Sequence, residues 1–167
     1  RNDLASMFID RMIELLTIKG GVGSISTRTI FFLGSYTKWR SKELLSNNSI
    51  RYFADLGGEV LDAMVEVAAY IIDKGSSAQS PEFFRITKAK SKEIYLKKII
   101  NNLEKDYYKI DANIFKKIPN EPICYWIDQN SLSLFESKER FAPFQSYAGL
   151  QTSDNFRFVR NDWETFN

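Results

Sequence analysis

The run Lys19-Gly20-Gly21-Val22-Gly23-Ser24-Ile25-Ser26-Thr27 has the composition of a loop in which backbone amides and a lysine hold phosphate groups. It departs from that pattern in three ways. No lysine precedes the serine or threonine, an amphipathic helix rather than a strand leads into it, and Ile25 falls where a helix should open. A helix that ends at a glycine turn and feeds a strand accounts for the same residues better. Thr27, Arg28 and Thr29 then fall at the carboxyl end of that strand, where open α/β sheets place a ligand crevice and where a plain loop and helix cap would also stand. Towards the other end of the chain, Gln151, Thr152, Asn155 and Arg157 gather amides, a hydroxyl and a guanidinium, the groups that bond to phosphates and base edges. Asp154-Asn155 equally suits a turn bonded to its own backbone.

Missing residue types narrow the chemistry further. There is no histidine, which excludes Ser-His-Asp and Cys-His nucleophiles and the commonest metal ligand. Cys124 is the single cysteine, so neither an internal disulfide nor a cysteine-rich zinc site can form within one chain. The net charge is only +2, but residues 85–117 hold ten basic and four acidic groups. Such a stretch attracts phosphate backbones or forms the solvated face of a helix.

The elements that must position these groups follow from hydrophobic periodicity. At 167 residues, with 44% hydrophobic and 14% aromatic content, the chain can bury the core of one ordinary domain. It has no run of 18 uncharged apolar residues and no signal-like start, which predicts a soluble, cytoplasmic protein without a membrane segment. Leu4, Phe8, Met12, Leu15 and Leu16 predict a helix over 3–17 that packs that stripe inward and turns Asp10, Arg11 and Glu14 outward. A buried strand over 22–26 and a helix over 35–45 follow. Strands over 50–56 and 67–72 are separated by too few residues for a crossover helix, which predicts that they pair antiparallel. Residues 75–81 read as an exposed loop and 82–86 as an edge strand. Ile94, Tyr95, Ile99, Ile100 and Leu103 mark a helix amid lysines, a further helix is expected from 123 to about 135, and 147–160 reads as strand, turn, strand.

This order of segments resembles the adenine-specific DNA methyltransferases of BREX-type phage-defence and fused type II restriction-modification systems. The likeness lies in Phe8-Ile9-Asp10-Arg11-Met12-Ile13-Glu14-Leu15-Leu16 leading through a glycine turn to a strand, followed by Phe32-Leu33-Gly34-Ser35-Tyr36-Thr37-Lys38-Trp39-Arg40. It continues in a hairpin beginning Ala54-Asp55-Leu56-Gly57-Gly58-Glu59-Val60 and closing in Val67-Ala68-Ala69-Tyr70-Ile71-Ile72. Two later stretches are the most specific. They are Ile118-Pro119-Asn120-Glu121-Pro122-Ile123-Cys124-Tyr125-Trp126-Ile127 and Gly149-Leu150-Gln151-Thr152-Ser153-Asp154-Asn155-Phe156-Arg157-Phe158.

The resemblance implies an α/β fold: the C-terminal half of a Rossmann-like S-adenosylmethionine-dependent sheet with an antiparallel terminal hairpin (residues 1–86), a basic helical linker (87–118) and the start of a target-recognition region (119–167). Implied partners are double-stranded DNA and an N-terminal half of the catalytic domain. The glycine-rich cofactor loop and the Asn-Pro-Pro-Tyr-type loop of such enzymes have no counterpart in this sequence, so catalytic residues, cofactor-binding residues and a metal site are expected to be absent from it. Leu61 falls near the position at which many relatives place an aromatic against the flipped base, and Ser153 replaces a common glycine. Gly149, Gln151, Thr152, Asn155 and Arg157 are the implied DNA contacts. Two other readings compete: a non-catalytic DNA-binding or assembly module, and a nucleotide-dependent ATPase built on the glycine run.

Overall fold

A pair of isoleucines one helical turn apart decides how the first helix sits. In the computed structural model, which describes residues 4–60, 64–75, 80–102 and 105–136, helix α1 (Leu4–Leu15) buries Ile9 and Ile13 and leaves Leu4, Phe8 and Leu15 between 65% and 69% exposed. Of the stripe expected to face inward, Leu4, Phe8 and Leu15 therefore face outward, while Met12 packs partly buried against the core and Leu16 is half-buried. Asp10, expected on the solvent side, accepts a 2.7 Å hydrogen bond from the indole Nε1 of buried Trp39. A buried indole N–H needs an acceptor, and the Ile9–Ile13 face brings one to it. Past the helix, Lys74 donates from Nζ to the carbonyls of Glu14 and Leu16, which the helix end leaves without partners. Lys19, not a glycine, makes the left-handed turn at φ 65°.

Five strands follow: β1 (Gly21–Thr27), β2 (Asn48–Gly57), β3 (Val67–Lys74), β4 (Glu82–Arg85) and β5 (Tyr107–Lys109), in the order β1-β3-β2-β4-β5. β3 runs antiparallel to both β1 and β2, so Tyr70 stands opposite Ser24 on one side and Phe53 on the other. The expected antiparallel hairpin, with the strand at 22–26 in the same sheet, is present. β4 pairs parallel with β2 and antiparallel with β5. The expectation of an edge strand over 82–86 is corrected by this arrangement, because β5 covers it. Three residues are too few for periodicity to announce a strand.

One face of the sheet carries an aromatic core. Phe53, Tyr70 and Phe83 meet Phe31, Trp39, Phe115 and Tyr125, with Phe83 and Tyr125 stacked 4.9 Å apart. On the other face Leu56, Val67, Phe84 and Ile86 pack with Ile99 of helix α3 (Lys92–Asn102). Of the expected α3 stripe only Ile99 is fully buried; Ile94 and Ile100 are exposed and Leu103 lies outside the described residues. Residues 87–118 thus supply a helix, a strand and Phe115 to the same sheet and cores. The helix expected from 123 starts instead as α4 (Gln129–Glu136), because Ile123 and Tyr125 are drawn into the core and Asp128 caps the helix by accepting from Ser131 N at 2.7 Å. Among the described residues no helix is long and apolar enough to cross a membrane.

Between β1 and β2 the chain makes a 3₁₀ turn (Arg28–Phe31), a second one (Gly34–Tyr36), the single turn α2 (Thr37–Trp39) and a π turn (Arg40–Leu44), filling the helix expected over 35–45. Arg40 is fully buried and, among the described residues, makes no close ion pair, the Glu121 carboxylate acting on it only at longer range. Its Nε donates to Glu121 O (2.9 Å), Nη1 to Ile30 O (2.9 Å) and Leu33 O (2.7 Å), and Nη2 to Asn120 O (2.6 Å). Asn120 and Glu121 both have left-handed backbones, at φ 66° and 48°, which side-chain-bearing residues adopt only when other bonds hold them. A planar guanidinium reaches all four carbonyls at once and an ammonium does not. Arg40→Met is therefore expected to lose about 2–4 kcal/mol of stability and Arg40→Lys to restore less than half of it. Urea unfolding measures the first, and faster hydrogen exchange at Ile123 and Tyr125 identifies the 119–123 segment as the part released.

Candidate functional site

β1, β2 and β4 point the same way, so their carboxyl ends lie along one edge of the sheet, where α/β folds place ligands. Three polar residues from three segments meet there. Asp55, on the aromatic face of β2 and fully buried, receives the Tyr125 hydroxyl at 2.8 Å and the Arg28 guanidinium at 3.0 Å, both on Oδ2. Arg28 also donates to Glu66 Oε2 at 2.9 Å, bonds its backbone N–H to Glu66 O at 3.0 Å, and lies 4.8 Å above the Phe32 ring. Phe32 approaches Trp126 at 5.6 Å, and Arg85, at the end of β4, lies 5.2 Å over Trp126. Cations set over aromatic faces in this way stabilise the group by about 0.5–2 kcal/mol per contact.

Burial, the largest influence, lifts the Asp55 carboxyl above the ordinary carboxylate range, against the pull of Tyr125 and then of Arg28. Burial and then Asp55 push the Tyr125 hydroxyl above its usual range, so it stays a donor. Cys124, next to this pair, is a free thiol that burial also holds up, against the opposing effect of Arg40, and a protonated thiol is a poor nucleophile. Asp55 and Tyr125 are buried against each other, and the one exposed acid of the cluster, Glu66, is engaged by Arg28. Among the described residues, moreover, no group of three or more Asp, Glu or Cys is arranged to hold a metal ion. The cluster clamps the ends of three strands to the Tyr125-Trp126 segment.

Thr27 and Thr29 behave as a cap: Thr27 Oγ1 accepts from Thr29 N at 3.3 Å and opens the 3₁₀ turn, while Arg28 between them enters the clamp. The glycine run 20–23 enters β1 as extended chain, which gives an ATPase-type phosphate cradle no place. Leu61, Gly149, Gln151, Thr152, Asn155 and Arg157, like the strand-turn-strand expected over 147–160, lie outside the described residues. Sequence reasoning did not single out Asp55 or Tyr125 as a pair. The available signal was an acid at the end of an otherwise apolar strand, which demands a buried partner.

The fold has a counterpart among solved structures. A protein from Vibrio vulnificus YJ016, described as the modification subunit of a type I restriction enzyme, superposes with TM-score 0.56 over 80% of this chain and 34% of that one at 14% identity, a likeness of fold. The type IIG restriction endonuclease BpuSI superposes with TM-score 0.46 over 66% of this chain and 14% of that one, at 12% identity. No family model matches. Among curated proteins, the adenine-specific methyltransferase BrxX of Escherichia coli O9:H4 (strain HS) is 30% identical over 98% of this chain, which spans 14% of that protein's length. Along nearly its whole length the chain is thus similar to one segment of an adenine-specific methyltransferase, and it shares its fold with a restriction-modification subunit.

The clamp makes a pH-dependent prediction. A native carboxyl that holds its proton more tightly than in the unfolded chain loses stability as pH rises from about 4 through its native value. Tyr125→Phe removes a bond that favours the charged form, lifts Asp55 further and extends that loss to higher pH. The variant is expected to be destabilised by about 1–3 kcal/mol at neutral pH, with the gap to wild type narrowing towards acid. Urea unfolding over a pH series checks this, and a gap that stays constant with pH would falsify the assignment of the hydroxyl to the carboxylate.

Proposed function

We propose that the chain is a segment of a site-specific DNA methyltransferase that modifies the exocyclic amine of adenine in a phage-defence or restriction-modification system. In this reading residues 1–86 supply the C-terminal half of a Rossmann-like catalytic sheet, 87–118 a basic helical connection and 119–167 the start of the target-recognition region. It is carried by one observation, the reversed β3 seated between β1 and β2 and entered through Asp55-Leu56-Gly57-Gly58, in a chain 30% identical along 98% of its length to an adenine-specific methyltransferase.

The target amine is engaged in base pairing inside a duplex, so the base leaves the stack before it reacts. S-Adenosylmethionine supplies the methyl group in such chemistry, and no metal is needed. The described residues do not fit that cofactor: Gly21 and Gly23 are consumed by β1, and Gly57, at φ 71°, is backed directly by Thr87. We assign the cofactor loop and the amine-binding loop, with the N-terminal half of the sheet, to the rest of the parent protein. The contribution of this chain is positional. Arg28, Asp55 and Tyr125 hold the hairpin that carries Leu61 against the entry to the recognition region. Leu61 forms an aliphatic wall of the flipped-base pocket, and Gly149, Gln151, Thr152, Asn155 and Arg157 contact duplex DNA in the cytoplasm.

The parent protein, incubated with S-adenosylmethionine and duplex DNA, is expected to yield methylated adenine at one sequence context by single-molecule sequencing. A non-catalytic DNA-binding or assembly module would leave every adenine unmodified. The 167-residue chain alone is expected to give no heat with S-adenosylmethionine in a calorimetric titration, and stoichiometric micromolar binding would overturn the division of labour.

Arg157→Ala distinguishes two kinds of DNA contact. Loss of a phosphate contact weakens binding to all sequences and lowers the slope of log affinity against log salt by about one unit. Loss of a paired bond to guanine costs about 1–3 kcal/mol only at sites with that base. Unchanged affinity for cognate and random duplexes, with the variant folded, would remove the turn from the interface.

A further inference from the structure

The surplus charge of residues 85–117 is concentrated in one place. Three of its lysines are spoken for: Lys92 Nζ donates to the carbonyls of Ile86 and Thr87, Lys97 pairs with Glu93, and Lys109 pairs with Glu82. Five other cations, Arg85, Lys88, Lys90, Lys98 and Lys105, line a half-open cavity of about 570 Å³ between the β4–α3 turn, the first turns of α3 and the turn before β5. Among the described residues none of the five is held in a close ion pair, and Arg85 feels a carboxylate at longer range, that of Asp55. Asp106, the one acid in the lining, accepts the hydroxyl of Tyr95. Five cations against one acid repel one another, and the arrangement is relieved when an anion enters.

The cavity also has an informative position. A Cβ on Gly57 would stand 3.1 Å from Thr87 Cα and 3.2 Å from Thr87 O, so the hairpin after β2 rests directly on the cavity wall. Arg85 belongs to both sides, lining the cavity and covering Trp126 of the strand-end cluster.

We propose that this cavity holds backbone phosphates of a nucleic-acid duplex, anchoring the strand beside the β2–β3 hairpin. The proposal rests on the DNA-methyltransferase reading and adds to it a phosphate anchor in residues 85–105. Four of the five cations are lysines on flexible stems, which act as point charges and do not read bases. The space of about 570 Å³ exceeds what one phosphate needs. No glycine lines it, so it lacks the close backbone cradle of a nucleotide site.

The test is the salt dependence of duplex binding by the full 167-residue chain, followed by fluorescence anisotropy with a random-sequence duplex between about 50 and 200 mM salt. Combined Lys88→Ala, Lys90→Ala, Lys98→Ala and Lys105→Ala is expected to lower the slope of log affinity against log salt by about three to four units. The pair Lys97→Ala and Lys109→Ala, in the same segment but outside the cavity, is expected to lower it by less than one. Equal losses per charge in the two variants, an unchanged slope, or no binding of duplex by the wild-type chain would each overturn the proposal. So would saturable binding of inorganic phosphate or a free nucleotide that the four-site variant abolishes without change in the duplex slope, which would make the cavity a small-ligand site. Adenine methylation by the parent protein is read separately. Methylation with an unchanged slope removes the anchor and keeps the enzyme; a lowered slope without methylation keeps the anchor and removes the enzyme.

Discussion

A buried guanidinium bonded to backbone carbonyls rather than to a carboxylate governs how this chain is assembled. Arg40 satisfies carbonyls at Ile30, Leu33, Asn120 and Glu121, joining the turn after β1 to a segment some eighty residues later. Each bond of a charged donor to a carbonyl contributes about 1.5–3 kcal/mol, and together they offset both the desolvation of the cation and the left-handed strain at Asn120 and Glu121. Thr37 adds a further bond to Asn120 O at 3.0 Å. With 120–121 fixed, the backbone N–H of Ile123 reaches Phe31 O at 3.0 Å, and Tyr125 is delivered onto Phe83 and Asp55. The strand-end cluster is thus downstream of Arg40.

That dependence explains why a polar group is tolerated at Asp55. A carboxylate in an apolar strand is expensive unless bonded, and its two donors come from opposite sides, Arg28 from the end of β1 and Tyr125 from the far segment. Removing the 119–126 segment would strip half of the solvation from the acid and the stacked partner from Phe83. Three strand ends, the hairpin and the entry to residues 119–167 therefore behave as one mechanical unit. On the proposed function this is what is needed of a chain that orients a pocket and a DNA-binding region without supplying the reacting groups.

Much of the sheet was legible because its signals are local. The continuous apolar run at 67–72 and the short connection before it require a reversed strand wherever the chain is found, and β2 and β3 have that relation. The face of α1 was not legible, since Leu4, Phe8 and Leu15 form one apolar stripe and Ile9 and Ile13 another, and the choice was made by Trp39 requiring Asp10. β5 carries too few residues to show a period. The clamp was hidden for a different reason: the hydroxyl that bonds Asp55 lies seventy residues away, and neither local propensity nor spacing encodes that distance. The basic segment was visible as composition alone, and only the fold separates its paired lysines from those that line a cavity.

The two halves of the sheet differ in how completely they are covered, and the difference bears on how the chain works within a larger protein. β2, β3 and β4 are enclosed by the aromatic core on one face and, towards β4, by α3 on the other. β1 has β3 on one edge and no strand on the other among the described residues, and Ile25 is half-exposed. Over the second face an open apolar groove of about 860 Å³ runs across Gly23, Ile25, Tyr52, Ala54, Ala69 and Ile71. α1 presents Leu4, Met7, Phe8 and Leu15 to solvent beside it in sequence. An unpaired edge and a bare apolar face are features that folded proteins pair or cover. On the proposed reading, the N-terminal half of the catalytic sheet does both, extending the ladder from β1 and burying the groove. β1 ends at Thr27, and Arg28 follows immediately as the link to Asp55. On the proposed reading, ordering of β1 by that half would be felt at the hairpin and at Tyr125 through a single residue step, which would couple the two across the same buried acid.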